Sequence, residues 1–95
     1  MKLEDALLNW LQAKIAADAR PHDAAARETL DFFAQILKED HRLRDFAVRS
    51  ADDASYVLAC VTEEGESREL RMDREMAERL LHDIEANPNF SLDER

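Results

Sequence analysis

The chain has 95 residues, 45% of them apolar and 37% charged, with one glycine, two prolines and a net charge of −9 at pH 7. That length suits a single compact α+β domain spanning 1–95 with one modest core, since a chain of this size buries roughly 60–65% of the surface it exposes unfolded; the composition excludes disordered and collagen-like classes. With 22 acidic against 13 basic side chains, direct nucleic-acid binding and attraction to anionic membranes are not expected, because phosphates must be met by clustered Lys and Arg.

In chain order, residues 2–19 are predicted helical. Leu3, Leu7, Trp10 and Leu11 recur at helical spacing, and Leu8, Leu11 and Ile15 form an adjoining stripe. Arg20-Pro21-His22 breaks the pattern, because proline disfavours helical geometry at the residue before it, so a short corner between helices is expected. Asp23 is placed to cap a second helix over 23–38, with Ala26, Leu30, Phe33 and Leu37 on one stripe and Ala25, Phe32 and Ile36 beside it. Each helix is apolar over nearly half its circumference, more than one neighbour covers, so the pair is expected to touch two layers, one of them a partner.

After Asp40-His41 the apolar period changes to two, and strands are expected over 44–49, 55–62 and 67–72. The turns, Ser50–Ala54 and Glu63–Glu66, are short enough to require antiparallel neighbours, and the second strand, apolar on both faces, belongs in the middle. Asp73 then caps a third helix over 73–86, with Met76, Ala77, Leu80, Leu81 and Ile84 as its buried stripe. Asn87-Pro88 stops it, leaving a tail over 88–95 whose Phe90 and Leu92 are expected to dock on the domain. The expected fold is α+β in the order α-α-β-β-β-α, a three-stranded antiparallel meander packed against a helical hairpin and a C-terminal helix.

The second hairpin fixes which side chains of the middle strand face inward, because a slip of one residue inverts them all. Glu63-Glu64-Gly65 fits a three-residue loop ending in a left-handed glycine. Pairing then sets Cys60 opposite Arg68, Leu58 opposite Leu70 and Tyr56 opposite Met72, the last two pairs building an apolar face for the helices. Cys60 falls at the edge of that core. Carboxylates near it in sequence raise a thiol pKa rather than activate it, so a small buried hydrophobe is expected.

Other chemistry is sparse. Glu63, Glu64 and Glu66, like Asp52 and Asp53, suit solvated turns and lack the spacing of a calcium loop. His22, His41 and His82 each adjoin an aspartate, but adjacent residues on a helix point apart, and His82 with Glu75 and Glu78 suits a salt-bridged surface. One glycine cannot build a phosphate-cradling loop, and no paired cysteine or histidine motif occurs. No catalytic residue, metal ligand or cofactor is assigned, and an enzyme is not expected.

What the sequence does offer is surplus apolar surface. The candidate interface comprises Leu8, Trp10, Lys14, Ile15, Phe32 and Ile36 on the helices, and Val57, Ala59 and Val61 on the reverse face of the middle strand. Lys14 lies inside the apolar arc of its helix, where it must either snorkel to solvent or meet an acid, on its own chain or on another. The expected role is a non-catalytic interaction or regulatory module that forms a homodimer. The alternative is an acidic decoy for the basic surface of a nucleic-acid-binding protein, since most of the surplus negative charge lies in residues 46–95. A small enzyme or metal protein is a remote third.

No apolar run approaches the roughly 18 residues of a membrane span, and Met-Lys-Leu-Glu-Asp does not resemble a secretory signal, so a cytoplasmic location is expected. A lone cysteine, unable to close an intrachain disulfide, agrees with a reducing compartment.

Overall fold

The computed structural model describes residues 1–86; the expected stop at Asn87-Pro88 and the tail with Phe90 and Leu92 lie outside the described residues. Two helices, α1 (Leu3–Ala19) and α2 (Ala24–Glu39), precede strands β1 (Leu43–Ala51), β2 (Ser55–Thr62) and β3 (Ser67–Asp73), and two short helices follow, α3 (Arg74–Ala77) and α4 (Arg79–Ala86). The strands form one antiparallel sheet in the order β1-β2-β3, so the α+β meander and its element order are as the sequence implies.

Local chemistry explains the boundaries. Glu4 and Asp5 in the first turn of α1 complement the positive end of its dipole. After the Arg20–His22 corner, Asp23 caps α2, its carboxylate accepting the Ala26 N–H at 3.1 Å. Asp73 does the same for α3 through the Met76 N–H at 3.0 Å. The hairpin from β2 to β3 closes on the Thr62 N–H and the Glu66 carbonyl at 2.9 Å, leaving Glu63-Glu64-Gly65 as the loop, with Gly65 at φ 91°. Cys60 pairs with Arg68, Leu58 with Leu70 and Tyr56 with Met72, the register the loop length dictates.

The C-terminal helix over 73–86 is not continuous. The backbone leaves helical geometry at Glu78 with neither Pro nor Gly to mark the break, and Met76, expected on the buried stripe, is exposed while Ala77 and Ile84 are buried. The Gln12 side chain donates to the Met76 carbonyl at 2.8 Å, tying α1 to the end of α3. Strand β1 also runs longer than 44–49 and carries register shifts between Leu43 and Asp45 and between Val48 and Ser50, which make Arg44 and Arg49 the extra residues of two bulges.

The core joins Leu7, Trp10 and Leu11 of α1 to Leu37, Leu43, Leu58, Cys60 and Ala77, with Phe46, Val48, Tyr56, Leu70 and Met72 packed against it. Helix α1 carries a second seam of buried alanines, Ala6, Ala13, Ala16 and Ala17, and α2 contributes Ala25 and Ala26. Small side chains let the two helix axes approach closely. The wide apolar arc of α1 is therefore used within the subunit, between α2 on one side and the sheet and α3–α4 on the other.

Candidate functional site

Strand β2 shows how the chain divides its apolar surface. Its even-numbered side chains, Tyr56, Leu58 and Cys60, point into the core, whereas Val57, Ala59 and Val61 face the other way and stand half-buried outside the core cluster. The register sets Ala47 and Glu69 on either side of Ala59, Asp45 beside Val61, and Arg71 beside Val57. All four of these flanking residues are exposed. The helices gather on the opposite side, so this face of the sheet is bare among the described residues.

Charges cross the bare face in an ordered way. Arg49, freed by its bulge, reaches over Ala59 to Glu69, Nη1 to Oε2 at 2.7 Å. Arg71 donates to the Ser55 hydroxyl at 2.6 Å and lies 3.8 Å from Asp52, whose carboxylate also accepts the Ala54 and Ser55 N–H groups of the turn. Those two backbone donors hold the Asp52 carboxyl below its usual pKa, with smaller help from the Ser55 hydroxyl and Arg71.

The helical candidates separate. Trp10 is only 7% exposed and packs edge-on against Phe46 with ring centroids 5.2 Å apart, so it belongs to the core and not to a free surface; the sheet supplies the partner that one helix wheel cannot reveal. Leu8 and Ile36 are half-buried. Phe32 is 59% exposed on the outer side of α2, edge-on to Phe33 at 5.2 Å and bordered by exposed Glu28, Asp31 and Glu39. With Gln35, Ile36, Glu39 and Asp40 it lines a crevice of about 200 Å³.

Lys14 and half-buried Ile15 line an open groove of about 450 Å³ between α1, β1–β2 and α4, together with Leu11, Asp18, Val48 and Leu81. Its volume is in the range of small-molecule sites, roughly 300–1,000 Å³. Its polar groups, however, are already matched. Lys14 Nζ sits 3.0 Å from Asp18 one turn along, a snorkelling pair within the helix, and Tyr56 at the groove's margin donates to Glu78.

That phenol anchors a polar cluster that links the sheet to α3–α4, and sequence spacing gave no sign of the Tyr56–Glu78 contact. Tyr56 Oη donates to Glu78 Oε2 at 2.7 Å, Arg74 Nε lies 2.9 Å from the same oxygen, and the Arg74 guanidinium stacks 5.2 Å from the Tyr56 ring centroid. His82 stands 3.8 Å from the other Glu78 oxygen, within the salt-bridged surface expected of it. Burial, followed by the Glu78 hydrogen bond, pushes the Tyr56 phenol up in pKa, away from acid–base work near neutrality.

Cys60 is 2% exposed. Burial raises its pKa while Arg68 opposes weakly, so desolvation, not the hairpin carboxylates, keeps the thiol protonated. His41 sits beside Arg42 in a crevice of about 220 Å³ with Thr62, Glu63 and Glu64, and its Nε2 is buried without a hydrogen-bond partner. Among the described residues, no group of three or more His, Cys, Asp or Glu side chains is disposed to hold a metal ion, and no helix is long and apolar enough to cross a membrane.

Against this geometry, comparisons of the chain with protein-family models, with curated proteins and with solved structures give no match.

Proposed function

We propose that this α+β domain is a non-catalytic interaction module whose first partner is a second copy of itself. The observation that carries the reading is the bare sheet face, where Val57, Ala59 and Val61 form an apolar strip on a strand whose other side buries Leu58 and Cys60 in the core. A sheet packed on one side only must meet either water or another surface, and a strip of valines favours the second. The edges offer less: β1 is bulged twice and β3 carries Arg68, Glu69 and Arg71, both features that discourage strand addition. A protonated, enclosed thiol and a phenol tied to Glu78 support the non-catalytic part. A cytoplasmic setting belongs to the same reading, since one unpaired buried cysteine suits reducing conditions. Sedimentation from about 10 to 300 µM, the range for a small and weak interface, should move from the 11.0 kDa chain mass towards twice that value. A constant monomer mass across the series ends the reading.

A second reading, an acidic surface that occupies a basic partner, rests on Phe32 standing among Glu28, Asp31 and Glu39. Exposed aromatics ringed by charge supply both a packing anchor and a complementary field. Retention on immobilised polylysine should fall with salt and weaken in Phe32→Ala. Retention that Phe32→Ala leaves unchanged is ordinary ion exchange and removes this reading.

A further inference from the structure

Two copies of a chain carrying −9 repel each other over most of their surfaces, so the place where they can approach is a place where opposite charges are interspersed and nearly cancel. The bare sheet face is such a place. Two arginines, Arg49 and Arg71, stand there against Asp45, Glu69 and, at the rim, Asp52.

The arrangement is also self-complementary. A two-fold axis lying along β2 in the plane of contact carries β1 of each copy over β3 of the other. Arg49 on β1 and Glu69 on β3 flank the same stretch of β2, so this rotation sets Arg49 of each subunit above the partner's Glu69, twice. Stacked sheets lie about 10 Å apart, a gap that an arginine and a glutamate bridge from opposite sides. Both side chains are more than half exposed and hence free to exchange partners.

We infer that the homodimer forms by stacking the two bare sheet faces about this axis, with the Arg49–Glu69 ion pair inside each chain replaced by two such pairs between chains. The inference rests on the self-association reading and gives it a surface, a symmetry and a charge rule. Three strands about 4.8 Å apart and seven residues of about 3.3 Å each make a face of roughly 15 by 23 Å, less than half the roughly 800 Å² that each partner gives to a stable interface. The dimer is accordingly a weak and transient one, and its ion pairs lie at a rim open to salt.

Charge reversal tests it directly. Arg49→Glu alone and Glu69→Arg alone place like charges across the two-fold and should each weaken self-association about tenfold or more, one such close repulsion being worth that much at a partly desolvated rim. Mixed in equal amounts, the two variants complement each other, so the mixture should recover the dimer mass that neither gives alone. If wild type dimerises but the mixture does not recover, or the single variants dimerise as wild type does, the sheet-face two-fold is wrong and self-association stands on another surface. If wild type stays monomeric, the self-association reading fails with it. Should either reversal lack a cooperative melt, Arg49→Gln and Glu69→Gln remove charge without adding repulsion; both must weaken the wild-type dimer, and no change from either overturns the inference.

Discussion

Leu58 and Val61 are three residues apart on one strand, yet one is sealed beneath helices and the other stands on an open surface. The two faces of β2 are nearly alike in hydrophobicity, so composition does not decide which is covered. Coverage follows from the number of helices available and from where the chain sends them: α1 and α2 pack together over the sheet, Leu37 of α2 joining Leu7 and Leu11 of α1 in the core, and α3–α4 close the remaining flank. Among the described residues the domain has no helix left for the second face. What it places there instead is a crossed ion pair over an alanine, which keeps an apolar strip hydrated without filling it.

The largest expected effect separates the faces outright. Leu58→Ala should cost about 3 kcal/mol in chemical or thermal unfolding, the usual result of emptying a fully enclosed site. Val61→Ala, on the open side, should cost about 0.5 kcal/mol in the monomer while weakening the dimer. Equal stability losses would mean that both faces are core.

Next in size is Tyr56→Phe. Removing the phenol's hydrogen bond to a half-buried carboxylate should lower stability by about 1 kcal/mol, the loss being limited because Arg74 still meets Glu78. The sequence separation of Tyr56 and Glu78 predicts that hydrogen exchange rises in α4 before it rises in β1; simultaneous loss of protection would show that the cluster does not hold α4 to the sheet.

The cap of α2 gives a smaller effect with a defined pH sign. The Ala26 N–H, with lesser help from Arg20 and against partial burial, holds the Asp23 carboxyl below its usual pKa. A carboxyl whose folded pKa is depressed contributes stability fully above its unfolded value near 4, and the contribution disappears as pH falls through the folded value. Asp23→Ala should cost about 1 kcal/mol at pH 7. Asp23→Asn retains a capping oxygen and should flatten the acid limb of the stability curve; an unchanged limb would place the acid sensitivity elsewhere.

The smallest effect is a gain. Arg42 holds φ at 54°, a left-handed conformation in which its Cβ is crowded, and its carbonyl accepts the Glu63 N–H at 2.9 Å. Arg42→Gly relieves the crowding at some entropic cost and should raise stability by about 0.5 kcal/mol with the two-face distinction intact. A loss of stability there would show that the guanidinium contributes more than the backbone conformation costs.

Much of the fold was legible because its signals are local. Asp23 and Asp73 are short polar side chains directly before apolar periodicity, and Gly65 dictates both the loop and, by parity, the inward set on β2. The candidate interface was less legible. Trp10 looks surplus on a helix wheel and becomes core only when Phe46 arrives from a strand 36 positions later. Alanines at 6, 13, 16 and 17 do not announce a helix seam, since the same residue is equally suited to exposed helix. The break at Glu78 has no local marker: its pair with Arg74 is an ordinary one-turn neighbour, and its contact with Tyr56, 22 positions away, exists only once the sheet is formed. Phe32 and the strip on β2 stayed at the surface because nothing else in residues 1–86 was free to cover them.

Cys60 is the chain's single thiol and lies beneath the helices on the closed side of β2. Reagents that modify sulfhydryls can reach it only during moments when that layer lifts away, so its labelling rate under native conditions counts those excursions without any engineered probe. Dimers joined through the open side make such excursions rarer as protein concentration rises only where the lifting also disrupts the sheet, so the concentration dependence of labelling tells local opening from global unfolding.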